Sequence, residues 1–156
     1  MSTTSDASVS AVNKPVEHVV VRGSAKGFLQ EATVGQYKFQ VDEPRSLGGT
    51  GAAPDPYDYL LMALGSCTSM TIGLYARSKK IPLEDIKVSL AHSRIHARDC
   101  EDCETKQGML DRIDLQIELT GPLSDEQRSK LLEIAAKCPV HRTLDSEIDI
   151  RTNPKN

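Results

Sequence analysis

The chain has 156 residues, 38% of them hydrophobic and 26% charged, which fits one soluble globular domain and not a string of them. Nineteen Lys and Arg against 22 Asp and Glu leave a net charge of -3, which excludes a nucleic-acid or anionic-membrane binder built on a basic surface. No uninterrupted apolar run approaches the roughly 18 residues of a bilayer span, and the opening MSTTSDASVS lacks the features of a secretory leader, so the expected compartment is the cytoplasm.

Residues 1–14 are rich in Ser, Thr and Ala without periodicity and read as a disordered tail; residues 15–156 read as a single domain. Three short β-like runs follow, Val16 to Val21, Gly27 to Val34 and Gln36 to Val41, with glycines at their edges, and they predict an antiparallel meander. The segment from Asp42 to Ala53 is a long Gly- and Pro-containing loop. Its glycines lack the Lys-Ser or Lys-Thr pair of a phosphate-binding loop.

A helix is predicted next, with Asp55 as N-cap, Pro56 at the first helical position and Asp58 in the first turn, running to about Lys80 before Pro82 stops it. Leu60, Leu64, Cys67, Thr71 and Leu74 follow the spacing of one buried stripe, and Met62, Met70 and Ile72 add apolar surface elsewhere. Such a helix needs cover from several sides, including a copy of itself. Alternation predicts strands over Ile86 to Arg98 and Asp114 to Thr120. Ser124 with Gln127 opens a second helix as a capping box. Its stripe is Leu131, Ile134, Ala135 and Cys138, with Pro139 placing Cys138 at the helix's C-terminal end. Ile148 and Ile150 mark a last strand. The order β-β-β-α-β-β-α-β is an α+β class.

In a reducing compartment four cysteines are redox, catalytic or metal-binding groups more often than structural staples. Cys67 and Cys138 each sit on the inward stripe of a helix. Two packed helices could bring their sulfurs together, or each could be a small apolar core residue. His92, His96, Cys100 and Cys103 have the ligand types of a zinc site. Histidines four apart on a strand are about 13 Å from each other, however, which argues against joint ligation. Four acidic neighbours (Asp99, Glu101, Asp102, Glu104) disfavour thiolates at Cys100 and Cys103. The cluster is thus open to a metal, a reversible local disulfide or no specific role.

The stretches GGTGAAPDPYDYLL (48 to 61), ALGSCTSMT (63 to 71) and AKCPVHRTL (136 to 144) resemble the OsmC/Ohr family of osmotically inducible and organic-hydroperoxide-resistance proteins. The resemblance implies an intertwined homodimer with antiparallel sheets wrapped around central helices. It also implies a two-cysteine hydroperoxide reductase without a metal or other cofactor. In that scheme the position of Cys67 attacks the peroxide and becomes a sulfenic acid. The position of Cys138 condenses with it, and an external dithiol reduces the resulting disulfide.

A thiol of ordinary pKa, about 8.5, is only a few per cent ionised at neutral pH, and lowering it to about 6 takes about 3.4 kcal/mol. A buried Cys67 therefore needs a cation, and Arg45 is the candidate, with Arg22 and Arg142 in reserve. Active family members carry a glutamate after the helix-opening proline that orients the arginine. Here Tyr57 holds that position and Asp58 follows it. The competing readings are a non-catalytic dimer that binds a small apolar ligand, and a zinc-binding module on the cluster from His92 to Cys103.

Overall fold

The computed structural model describes Val19 through Lys155. The tail expected over residues 1–14 lies outside the described residues, as does the beginning of the first β run. Two compact units are formed, one ending at Asp55 and one starting at Pro56.

The first unit is the expected meander: β1 (Val19–Gly23), β2 (Gln30–Val34) and β3 (Tyr37–Val41), antiparallel in that order. Gly35, at φ 57°, makes the tight turn between β2 and β3 in a backbone region that glycine enters without steric cost. The loop that follows is ordered by the buried Asp42. Its carboxylate accepts the Glu43 N–H at 2.8 Å, the Thr50 and Ala52 N–H groups at 3.1 Å each, and the Thr50 hydroxyl. The Thr50 hydroxyl bond, with the three N–H bonds, holds the Asp42 carboxyl below its ordinary value against the opposing effect of burial. A carboxyl lowered in the folded state stabilises it above the unfolded pKa, and that contribution is lost as pH falls through the folded value. Amide exchange at Thr50 and Ala52 should therefore be slow at neutral pH and accelerate below about pH 4. An Asp42→Asn variant should exchange quickly across the whole range.

The second unit holds the two long helical and hairpin elements. Helix α1 (Pro56–Ser78) begins at the expected proline. Lys80, at φ 54°, ends it together with a bond from the Ile81 N–H to the Ala76 carbonyl at 2.9 Å, the six-to-one closure of a helix terminus. The buried row is Leu64, Thr68, Ile72 and Ala76, one position round from the expected stripe. Cys67 lies at its edge, half-buried, while Leu74 is exposed. Contrary to the count of apolar runs, α1 is long and apolar enough by composition to cross a membrane. Its Leu64–Ala76 row instead packs against the other elements of this unit.

Strands β4 (Asp85–His96) and β5 (Met109–Thr120) form an antiparallel hairpin in unbroken register from Asp85↔Thr120 to His96↔Met109. Strand β5 starts five residues earlier than expected. In both strands the apolar positions change face near the tip: Ile95 pairs with Leu110, out of phase with Leu90 and Leu115, which hides the period-two signal. Gly65 lets β4 approach α1 closely, since an added Cβ would lie 2.6 Å from Leu90 Cδ1.

Helix α2 (Asp125–Ala135) carries the full capping box, with the Gln127 N–H bonded to Ser124 Oγ at 3.1 Å and the Ser124 N–H to Gln127 Oε1 at 3.0 Å. The core of the unit is Ile72, Ala76, Leu119, Leu131 and Ala135.

Two expectations about the C-terminal region are corrected. The second helix does not continue to Cys138: it stops at Ala135, and a separate short helix, α3 (Pro139–Leu144), begins with Cys138 as its N-cap. Proline at the first helical position starts this helix instead of merely ending the previous one. The last strand is also not formed. Ile148 and Ile150 are exposed, at 48% and 81%, because two alternating apolar residues find no strand edge to pair with in this chain.

Candidate functional site

The second unit brings together the two cysteines that the sequence singled out. Cys138 is fully buried where α2 gives way to α3, and Cys67 hydrogen-bonds to its sulfur from the neighbouring turn of α1. Thr68, also fully buried, sits beside Cys67 with its hydroxyl 2.8 Å from the Leu64 carbonyl and in hydrogen-bonding contact with the Cys138 sulfur. The His141 N–H points at Cys138 Sγ from 3.5 Å, and the Val140 N–H joins it.

This reverses an electrostatic expectation. At a helix C-terminus the backbone would oppose negative charge on Cys138; as an N-cap the same residue receives the free N–H groups of the first turn. Burial raises the Cys138 thiol, but the hydrogen bonds from Cys67, the His141 N–H, Thr68 and the Val140 N–H outweigh it and hold the thiol below its ordinary value. The pair is therefore arranged with Cys138 as the favoured site of negative charge and Cys67, the half-buried partner, as the donor of a shared proton.

An open pocket of about 210 Å³ is lined by Leu64, one turn before Cys67, by Asp111, Ile113 and Leu115 of β5, and by His141, Leu144 and Asp145 of α3 and its C-cap. It reaches the thiol pair through its neighbours Leu64 and His141, and neither cysteine is part of its wall. It is a small, open pocket of mixed lining, with Leu64, Ile113, Leu115 and Leu144 against Asp111, His141 and Asp145.

The remaining predicted residues fall into three groups. Arg45 belongs to the first unit, where it opens a 3-10 turn (Arg45–Leu47). Its side chain is exposed and its Nε donates to the Thr50 carbonyl at 3.1 Å. Tyr57 stacks flat on His92 with ring centroids 4.4 Å apart and planes within 10°, and His92 Nε2 pairs with Asp111 Oδ1 at 2.9 Å. Tyr57 is thus an aromatic prop joining α1 to the hairpin, while Asp58 lies exposed in the first turn of α1. Finally, Cys100 and Cys103 are joined in a disulfide, and no group of three or more metal-ligand side chains forms among the described residues. His92 and His96 are therefore not assembled with these sulfurs into a ligand set.

Thr68 and His141 were not singled out from sequence. The signal for Thr68 is its place in the i, i+4 row from Leu64 to Ala76. The signal for His141 is its position three residues after an N-cap that is followed by proline.

The sequence profile of the family described as OsmC-like protein matches residues 49–153. No curated protein sequence matches the chain. Among solved structures, an OsmC-like protein from Mycoplasma pneumoniae aligns at a TM-score of 0.64 and 22% identity, covering 81% of this chain and 85% of that one. An organic hydroperoxide resistance protein, OsmC, from Legionella pneumophila aligns at 0.60 and 24% identity, covering 81% and 86%. A Psychrobacter arcticus protein assigned to the osmotic stress and detoxification response aligns at 0.66 and 20% identity, covering 83% and 89%.

Proposed function

Because the chain belongs to the OsmC-like protein family and places Cys67 in hydrogen-bonding contact with Cys138, we propose that it is a two-cysteine hydroperoxide reductase. The sulfur-to-sulfur contact carries the reading. The small pocket near it, and the name organic hydroperoxide resistance protein borne by the Legionella pneumophila relative, support the substrate class.

As the peroxide binds, the Cys138 thiolate takes the proton of Cys67. The Cys67 thiolate attacks the terminal peroxide oxygen. The S–O bond forms as the O–O bond breaks, and the departing alkoxide takes the proton held at Cys138, leaving an alcohol, a Cys67 sulfenic acid and a Cys138 thiolate. That thiolate attacks the Cys67 sulfur and displaces hydroxide, which leaves as water after taking a proton from solvent. The product is a Cys67–Cys138 disulfide, returned to two thiols by an external dithiol. Cys67 is the attacker because it is the accessible sulfur; Cys138 is buried and suited to resolving.

The test uses protein with the Cys100–Cys103 disulfide intact and one equivalent of cumene hydroperoxide. Loss of both remaining thiols and a Cys67–Cys138 linkage in the peptide map are expected. If both stay free under excess peroxide, the reading falls and the cavity becomes a binding site for a small apolar ligand.

The same reading includes a cytoplasmic homodimer. Met62, Met70 and Leu74 stand on one exposed face of α1, with Met70 at 70% exposure, and isolated apolar stripes of this kind mark association surfaces. Met70→Glu should raise the dimer dissociation constant about 30-fold, the effect of losing about 2 kcal/mol, in sedimentation equilibrium.

A further inference from the structure

The motif not used by this mechanism is the Cys-x-x-Cys at the hairpin tip. Building on the hydroperoxide reading, we propose that Cys100–Cys103 is a second redox centre, which takes electrons from an external dithiol and passes them to the Cys67–Cys138 disulfide.

Three observations carry it. First, the disulfide is poorly placed to be a staple: its two residues are three apart, and a ring this small constrains the unfolded chain little compared with a long one. It lies in the loop between β4 and β5, away from the core of Ile72, Leu119 and Leu131, and both cysteines are partly exposed. Second, it shares part of a wall with the pocket near the thiol site. The tip folds over a hollow of about 410 Å³ whose wall includes Asp111 and Ile113, and those two residues also wall the 210 Å³ pocket near Cys138. The loop is tied at its neck by the bond from the Ala97 N–H to the Gly108 carbonyl. Cys100 and Cys103 lie three and five residues from those anchors, a reach of about 10–17 Å when extended. Third, the surroundings give the transfer a direction. Glu101 and Asp102 stand between the two cysteines in the tip hollow, beside Asp99, Asp111 and Asp114, which pair with Arg98, Arg94 and Arg112, so the acidic excess nearest the sulfurs opposes negative charge on them. The Cys138 sulfur receives N–H groups instead. A pair whose thiolate is stabilised is the better oxidant, and a pair whose thiolates are opposed is the better reductant.

The steps balance as two disulfide exchanges. An external dithiol reduces Cys100–Cys103 and becomes a disulfide itself. One tip thiolate then attacks Cys67, the accessible sulfur, and expels the Cys138 thiolate. The second tip thiolate attacks the resulting mixed disulfide and releases Cys67, re-forming Cys100–Cys103. Two electrons pass at each exchange.

The test needs no external reductant. Fully reduced protein, with all four thiols free, receives one equivalent of cumene hydroperoxide and is acid-quenched for peptide mapping. The Cys67–Cys138 linkage should appear first and give way to Cys100–Cys103, reaching about tenfold more of the latter, equivalent to about 30 mV between the pairs. A Cys100→Ser/Cys103→Ser variant should retain Cys67–Cys138, and Cys67→Ser should leave the tip reduced. The relay is overturned if the oxidation stays at Cys67–Cys138 in the unmodified chain, or if the tip oxidises as fast in Cys67→Ser. If neither pair is oxidised, the hydroperoxide reading itself has failed.

Discussion

Cys67→Ser should lower the rate of hydroperoxide consumption by at least about 10³-fold, the scale of losing a nucleophile. A serine hydroxyl at that position keeps the size of the side chain, but neither ionises near neutral pH nor forms a stable bond to the peroxide oxygen. Cys138 cannot substitute, because it is sealed from solvent. Cys138→Ser should behave differently. It should consume about one equivalent of peroxide, as the stoichiometry of a single sulfenic acid requires, and then stall, with a dimedone adduct at Cys67. The contrast separates attacker from resolver, and circular dichroism checks that both variants keep the fold.

Leu131→Ala should be the most damaging of the simple core truncations, costing about 2–5 kcal/mol in denaturant unfolding. Leu131 has no exposed surface and belongs to one core cluster with Ile72 and Ala76 of α1, Leu119 of β5 and Ala135 of its own helix. Removing its side chain leaves a cavity where three elements meet. The effect should extend to chemistry, because α2 delivers Cys138 to Cys67 only three residues beyond its end. Leu131→Met conserves volume and should cost less than about 1.5 kcal/mol. An equal loss in both variants would contradict this account of the core.

Much of this arrangement was legible in the sequence because local chemistry wrote it there. The meander is bounded by glycines, α1 starts at Asp-Pro, and the capping box at Ser124 appears as expected. The two cysteines meet, but Cys67 does so from the edge of the buried row and Cys138 from beyond the end of α2, not from the inward stripes expected for them. The failures have physical causes. The stripe on α1 was misplaced by one residue because Thr68, polar by type, occupies the centre of the buried row, where its hydroxyl is satisfied by the Leu64 carbonyl. The start of β5 was missed because Ile95 and Leu110 pack outward against the tip loop instead of inward. Pro139 was read as a terminator when it is also an initiator, and that one residue changes the sign of the field at Cys138. Tyr57 was marked only as a departure from its relatives; its stacking on His92 depends on a partner 35 positions away, which no local pattern reveals.

The central claim is that the fold favours negative charge on the Cys67–Cys138 pair by hydrogen bonds to the Cys138 sulfur. The direct measurement is the ultraviolet thiolate absorbance of protein with Cys100–Cys103 oxidised, titrated from alkaline to acid. The thiolate should disappear at a midpoint below the ordinary thiol value of about 8.5, because the hydrogen bonds to Cys138 favour its charged form in the folded state. Absence of thiolate absorbance until the solution is more alkaline than that value would contradict it.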